Sequence, residues 1–319
     1  MSHIYIYSPS SAVRDKAAFR RGIKRLIQLG HDVETDEAAL FSHQRFAGDD
    51  ATRLAAIGRA AASGADIAMI SRGGYGLTRL LPDLPYKRLT KAIEGGMQFV
   101  GLSDFTALQC ALQVKTGAIT WAGPALGEDF GSVEPPDEIM AACFDDLVCG
   151  QGEGTGWRLP VADAQALAAR RRVKPGAPSS AHAGALRISG ATLWGGNLSV
   201  ICALIGTPYL PAIEGGILFL EDTNEHPYRI ERQLTQLVNT GILGKQKAVL
   251  MGSFNRYALV PGYDRGFNLN AVVNWVREQI RPPVLTGLPF GHVPTKVLLP
   301  VGQQVDLMVD GRDALIYWG

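Results

Sequence analysis

Over the first 130 residues or so, short apolar runs alternate with helix-like segments, and this alternation limits the chain to a βαβ domain with a parallel sheet. His3 to Tyr7 reads as a first strand that ends in the turn Ser8-Pro9-Ser10-Ser11. From Lys16 to Leu29, Ala18, Phe19, Ile23, Leu26 and Ile27 recur at helical spacing and stop at Gly30. A helix is predicted over roughly residues 50–62 and a strand over 66–71, followed by Arg72-Gly73-Gly74-Tyr75-Gly76. The strand Met97 to Gly101 then feeds Leu102-Ser103-Asp104-Phe105-Thr106 and a helical run. In such a sheet the functional edge lies at the carboxyl ends of the strands, where the Gly73-Gly74 loop and Ser103 both fall.

A chain of 319 residues is long enough for two domains. The predicted division is an N-terminal α/β domain over 1–150, connecting segments over 151–184, and a second α/β domain over 185–319. Gly150, Gly152, Gly154 and Gly156 interrupt any regular period at the first boundary, and the run from Arg170 through Pro175 to Ser180 has the chemistry of a solvated linker. In the second domain, strands are expected at 185–190, 216–220, 248–252 and 284–287, with helices over 198–204 and 228–238.

A formal net charge of +1 gives no basic stripe for nucleic acid, and no apolar run reaches the length of a membrane span. The four cysteines are widely spaced with no C-x-x-C pair, which argues against a thiolate metal site and for a reducing compartment. The opening residues lack a basic leader and a long apolar core, so a cytoplasmic location is expected.

A serine between a strand and a helix can sit on a sharp turn with its hydroxyl exposed, beside the unpaired N–H groups of the helix start. Ser103 is therefore the candidate nucleophile. The G-x-S-x-G pattern is half met, since Phe105 stands where the second glycine would be. Of the six histidines, His292 in Pro289-Phe290-Gly291-His292-Val293-Pro294 is the stronger candidate base, with His226 second and an ordinary loop histidine the competing account. Glu221 follows four apolar strand residues, where a carboxylate needs a partner: either the acid that orients the base or a structural ion pair. The N–H of Asp104 and that of Gly73 or Gly74 would supply a two-donor oxyanion hole; a phosphate loop is the competing reading of those glycines. Arg72 is a candidate for binding a substrate carboxylate or for pairing with a protein acid. Tyr75 and Trp194 are candidates for packing on substrate or for the core. A metal-dependent amidase using His226 and His292 is a further alternative, without a recognised ligand motif.

In its order of motifs the chain resembles the LD-carboxypeptidase family of serine peptidases. The resemblance rests on Ser8-Pro9-Ser10, Arg45-Phe46-Ala47-Gly48, Ser71 to Gly76, Gly101 to Thr106, Leu193-Trp194-Gly195-Gly196-Asn197-Leu198, Leu220-Glu221-Asp222 with Pro227 to Arg232, and Phe290-Gly291-His292. It implies an N-terminal parallel-sheet βαβ domain with a C-terminal β-rich α/β domain, and a triad of Ser103, Glu221 and His292. It implies a homodimer, no metal and no cofactor. The implied activity is release of the terminal D-alanine from a muropeptide tetrapeptide during cell-wall recycling. Hydrolysis of a peptide-nucleotide antibiotic, as in an immunity relative, is the alternative activity; a non-catalytic muropeptide-binding protein is the other. The region over 241–267, with its long loop from Asn255 to Tyr263, is where specificity is expected to vary.

Overall fold

The computed structural model describes residues 1–172 and 186–319, so the linker expected around Pro175–Ser180 and His182 lie outside the described residues. The strands in chain order are β1 (His3–Tyr7), β2 (Asp32–Thr35), β3 (Ile67–Ile70), β4 (Gln98–Gly101), β5 (Thr120–Ala122), β6 (Gly154–Arg158) and β7 (Leu186–Asn197). They continue with β8 (Ile217–Thr223), β9 (Ala248–Asn255), β10 (Val284–Thr286), β11 (Leu299–Val301), β12 (Gln304–Asp310) and β13 (Asp313–Tyr317). The α-helices are α1 (Lys16–Gln28), α2 (Asp50–Ala60), α3 (Tyr86–Glu94), α4 (Thr106–Thr116), α5 (Glu138–Cys149), α6 (Val161–Arg172), α7 (Leu198–Leu204), α8 (Pro227–Asn239) and α9 (Leu269–Gln279).

The chain divides into two compact units. Unit 1 comprises residues 1–152, 203–212 and 294–302, and unit 2 comprises 153–202, 213–293 and 303–319. Two short segments that the sequence division puts after residue 185 thus belong with the N-terminal unit. One of them carries β11, which adds to the edge strand β5 in antiparallel register, Pro300 opposite Trp121.

The sheet of unit 1 runs β11-β5-β4-β3-β1-β2 and is parallel from β5 to β2. Its inner strands β1, β3 and β4 are largely apolar and buried because helices cover such sheets on both faces, whereas the edge strand β2 is polar and mostly exposed. Ile4, Ile6, Ile67, Met69 and Val100 are buried together with Phe19 and Leu26 of α1 and with Phe130 and Phe144. Local chemistry sets the helix starts: Asp15 accepts the Ala18 N–H at α1, and Asp49 accepts the Thr52 N–H at α2. The strand order reverses direction at β1, which lies between β2 and β3, so the loops after β1 and β3 flank a topological switch point. Those loops are Ser8–Ser11 and Ser71–Gly76.

The sheet of unit 2 runs β10-β9-β8-β7-β12-β13-β6. It is parallel from β10 to β7 and antiparallel from β7 to β6, so half of it is βαβ architecture and the other half is built around the β12–β13 hairpin. Residues expected as connecting loops form β6 and α6 instead. The glycines of Gly154-Thr155-Gly156 break any apolar period but suit an edge strand, and Trp157, directly after them, supplies its buried residue. β8 is longer than expected and includes Glu221 and Asp222. Its pairing with β9 shifts between Leu220 and Asp222, a bulge beside the carboxylates. No helix among the described residues is long and apolar enough to cross a membrane.

Candidate active site

In unit 1, Ser103 stands at the carboxyl end of β4, on the first residue of a short 3-10 turn that leads into α4. Its φ is 65°, a left-handed conformation rare for a residue with a side chain, and such strain is kept where the surrounding structure holds it. The sharp turn explains why the residue two before it is Gly101: a Cβ there would come within 2.8 Å of both Ile70 and Phe105. Ser103 is partly exposed while both its neighbours are buried, so the turn lifts this one side chain out of the core.

The loop after β3 lies directly against the serine. A Cβ on Gly73 would fall 2.7 Å from Ser103 Cβ and 2.9 Å from its Oγ, so only glycine lets this backbone pass so close. Gly74 follows with φ 118°. The Asp104 N–H comes before the first bonded donor of the 3-10 turn, the Phe105 N–H that binds the Leu102 carbonyl, and helix starts leave such early N–H groups open. Both backbone segments named as oxyanion donors are thus beside the hydroxyl.

The Asp104 side chain has a different task. It is 2 % exposed, and its Oδ2 accepts from Ser10 Oγ at 2.7 Å and from the Leu77 N–H at 2.9 Å. One carboxylate therefore fastens the loop after β1 and the glycine loop after β3 to the turn at Ser103. Burial raises its pKa, against the lowering effect of these donors, the Gly76 N–H and the Arg53 charge. Arg53, wholly buried, in turn donates to the carbonyls of Pro9 and Gly76. Sequence reasoning missed both tethers; the signal available was an acid next to the serine and an arginine in an otherwise apolar helix face.

In unit 2, β8 delivers Glu221 with no exposed surface. Its Oε2 lies 2.9 Å from His292 Nδ1. A carboxylate can only accept, so Nδ1 carries the hydrogen, and in the neutral ring the lone pair falls on Nε2. His292 is itself 7 % exposed, and the Asn255 side-chain amide donates to its backbone carbonyl at 2.8 Å. Gly291 brings the histidine loop against the acid: its φ is 127°, and a Cβ would be 3.1 Å from Glu221 Cβ and Oε2.

Asn197, at the end of β7, is the residue that orders the two adjacent carboxylates. Its Nδ2 donates to Glu221 Oε1 and to Asp222 Oδ1, each at 3.1 Å, and its Oδ1 accepts the Val200 N–H at the start of α7. Asp222 also accepts from the Thr223 N–H and from the N–H and hydroxyl of Ser199. Burial, with the Glu221 charge behind it, raises the Asp222 pKa. The sequence reading gave Asn197 no role.

Other candidates take structural places. Trp194 is 1 % exposed, and its Nε1 donates to Gln246 Oε1 at 3.0 Å, so it packs in the core of unit 2. His226 caps α8: its Nδ1 accepts the Tyr228 N–H, and Nε2 lies 3.1 Å from Asp264 Oδ2. Among the described residues no group of three or more His, Cys, Asp or Glu could hold a metal ion. Arg72 is half-buried and donates to the Ala12 carbonyl at 3.1 Å. Tyr75 is 44 % exposed and tilts against Phe46.

The comparison with known proteins covers both units. Residues 4–123 match the LD-carboxypeptidase N-terminal domain and residues 190–307 its C-terminal domain. A putative carboxypeptidase of Streptomyces coelicolor is 32% identical over 316 residues, spanning 97% of this chain and 91% of its own. The crystal structure of a muramoyltetrapeptide carboxypeptidase from Oxalobacter formigenes aligns with a TM-score of 0.80 at 37% identity, covering 98% of this chain and 97% of that one. The microcin C7 self-immunity protein of Escherichia coli is 27% identical over 259 residues, 78% of this chain and 72% of its own. Nearly full-length likeness, with a strained serine at the end of β4 and a buried acid on a histidine, places the chain in the LD-carboxypeptidase family.

Proposed function

We propose that this protein is a serine carboxypeptidase that releases the terminal D-alanine from the tetrapeptide L-Ala-γ-D-Glu-meso-Dap-D-Ala, cutting at an LD bond. The observation that carries the reading is the buried Glu221 carboxylate on His292 Nδ1, a pair that fixes the tautomer a general base needs. In the proposed reaction His292 Nε2 takes the Ser103 proton as Oγ attacks the carbonyl before D-alanine. The N–H groups of Asp104 and of Gly73 or Gly74 hold the tetrahedral oxygen. His292 then gives its proton to the leaving amine, and water, activated by the same ring, clears the acyl-enzyme. Glu221 stays ionised and stabilises the imidazolium.

The likeness to the Oxalobacter enzyme supports the muropeptide substrate. The family resemblance supports a cytoplasmic homodimer. The likeness to the microcin immunity protein supports a second reading, hydrolysis of a peptide-nucleotide. Incubation with the synthetic tetrapeptide followed by mass analysis tests the proposal, with the pentapeptide, the all-L peptide and a peptidyl-adenylate in parallel. The expected result is loss of one alanine from the tetrapeptide, abolished by Ser103→Ala with folding intact. Cleavage of the peptidyl-adenylate alone favours the second reading. Tight tetrapeptide binding without release makes the protein a binding module, and full turnover by the Ser103 variant rules out the serine mechanism.

A further inference from the structure

We propose that Arg14, Arg45 and Arg72 form an anion-recognition rim beside the nucleophile, one that selects acidic peptides by carboxylates other than the one at the cleaved end. The proposal rests on the carboxypeptidase reading above and names the substrate class of that site.

Ala12 is the common point. Its N–H donates to the Arg45 carbonyl at 3.0 Å, and its carbonyl accepts from Arg72 Nη1 at 3.1 Å. Arg14 is two residues further along the same loop, and Arg72 directly precedes the glycine that lies against Ser103. The Arg45 guanidinium sits 5.7 Å from the centre of the Tyr75 ring, a cation–π contact that orders the arm while leaving its N–H groups available. Tyr75 is fixed by its own N–H, which donates to Ser11 Oγ at 3.1 Å. Arg14, Arg45 and Tyr75 are all exposed, so a ligand can reach the rim.

The acids in the neighbouring sequence are committed elsewhere. Asp15 caps α1, Asp49 caps α2, and Asp50 is shared by Arg53 and Arg79. Among the described residues neither Arg14 nor Arg45 has an ion-pair partner. Arg72 responds to this: burial first, and then the like charges of Arg14 and Arg45, lower its pKa, with exposed Glu128 acting against them. Three like charges with only Glu128 to offset them cost stability until an anion arrives, and guanidinium groups bind carboxylates through paired, planar N–H donors. The tetrapeptide of the proposed reaction offers such groups on its D-Glu and diaminopimelate residues.

Binding is measured by calorimetry on the Ser103→Ala protein, so that no turnover intervenes. The probes are the tetrapeptide and the same peptide with both internal carboxylates amidated. The rim predicts that amidation weakens binding by about tenfold or more. Arg14→Gln with Arg45→Gln weakens the acidic peptide by a similar factor and the amidated peptide by less than about twofold, and the difference shrinks at high salt. Equal weakening of both peptides, no weakening, or failure of the Ser103→Ala protein to bind the acidic peptide overturns the rim. D-Alanine release by the wild type is scored separately. Release combined with charge-indifferent binding keeps the carboxypeptidase reading and removes the rim. Charge-selective binding without release does the reverse.

Discussion

The two units prepare their chemistry by different means. In unit 1 the backbone does the positioning: Ser103 is held at φ 65°, and Gly73 presses its main chain against the serine side chain. In unit 2 side chains do it: Glu221, Asp222, Asn197 and Ser199 share one buried hydrogen-bond network, and His292 is attached to that network through Glu221. A nucleophile must be exposed to its substrate, so it cannot be surrounded by partners, and a strained turn fixes it from behind. A base must keep one tautomer and tolerate a positive charge, so it needs a fixed acid, and a buried carboxylate in turn needs donors of its own.

This contrast predicts unequal sensitivities. Glu221→Gln keeps the shape of the side chain but puts an N–H₂ where either Asn197 or His292 now donates, forcing a lost hydrogen bond or the wrong tautomer. The expected effect is a fall in kcat of about 10⁴-fold with the fold retained, read by D-alanine release and circular dichroism. A loss below about tenfold would detach Glu221 from the reaction and leave it a structural acid. Gly73→Ala removes none of the proposed catalytic groups but sets a methyl 2.7 Å from Ser103 Cβ. One of the two must move by a sizeable fraction of an ångström, and kcat should fall about 10²-fold with KM changed little. Full activity in Gly73→Ala would break the contrast, since the glycine loop would then not be what holds the serine.

How much of this was readable in the sequence follows the same division. Strand-then-helix periodicity located β1, β3, β4, α1, α2 and the turn at Ser103, because each buries an apolar stripe with a local punctuation mark such as Gly30. β6 was hidden because Gly154 and Gly156 occupy the positions where an alternating pattern would show. β12 alternates well, with Val305, Leu307 and Val309 buried, yet its pairing with β7 is a contact of high sequence separation that no local window contains. Glu221 and His292 were found as isolated candidates from an acid after an apolar run and a histidine in a glycine-proline loop. Their 2.9 Å contact joins residues 71 positions apart. Trp194 stayed open between substrate and core because an aromatic among glycines suits both; burial and the bond to Gln246 give it a core place. The network on Asn197 was legible only as a helix cap, a polar residue just before Leu198–Leu204.

The smallest effect expected is also the one that best separates a tether from a catalyst. Asp104 adjoins Ser103, the proposed nucleophile, but its side chain turns to Ser10 and Leu77, so its carboxylate should report on folding and not on the reaction. Burial, the largest influence on it, raises its pKa above the ordinary 3.8. The folded protein therefore holds this proton more tightly than the unfolded chain does. Between the two values the unfolded chain has ionised while the folded one has not, so stability is fullest below the unfolded value and is lost as pH rises through the folded one. Asp104→Asn cannot titrate. The wild type's advantage over that variant should therefore narrow as pH rises from about 4, by at most roughly 1.4 kcal/mol per pH unit, in urea unfolding at a series of pH values. A gap that widens with rising pH would mean that the donors from Ser10, Leu77 and Gly76, with Arg53 behind them, outweigh burial. The two loops would then be tied to the turn at Ser103 by an anion and not by a neutral acid.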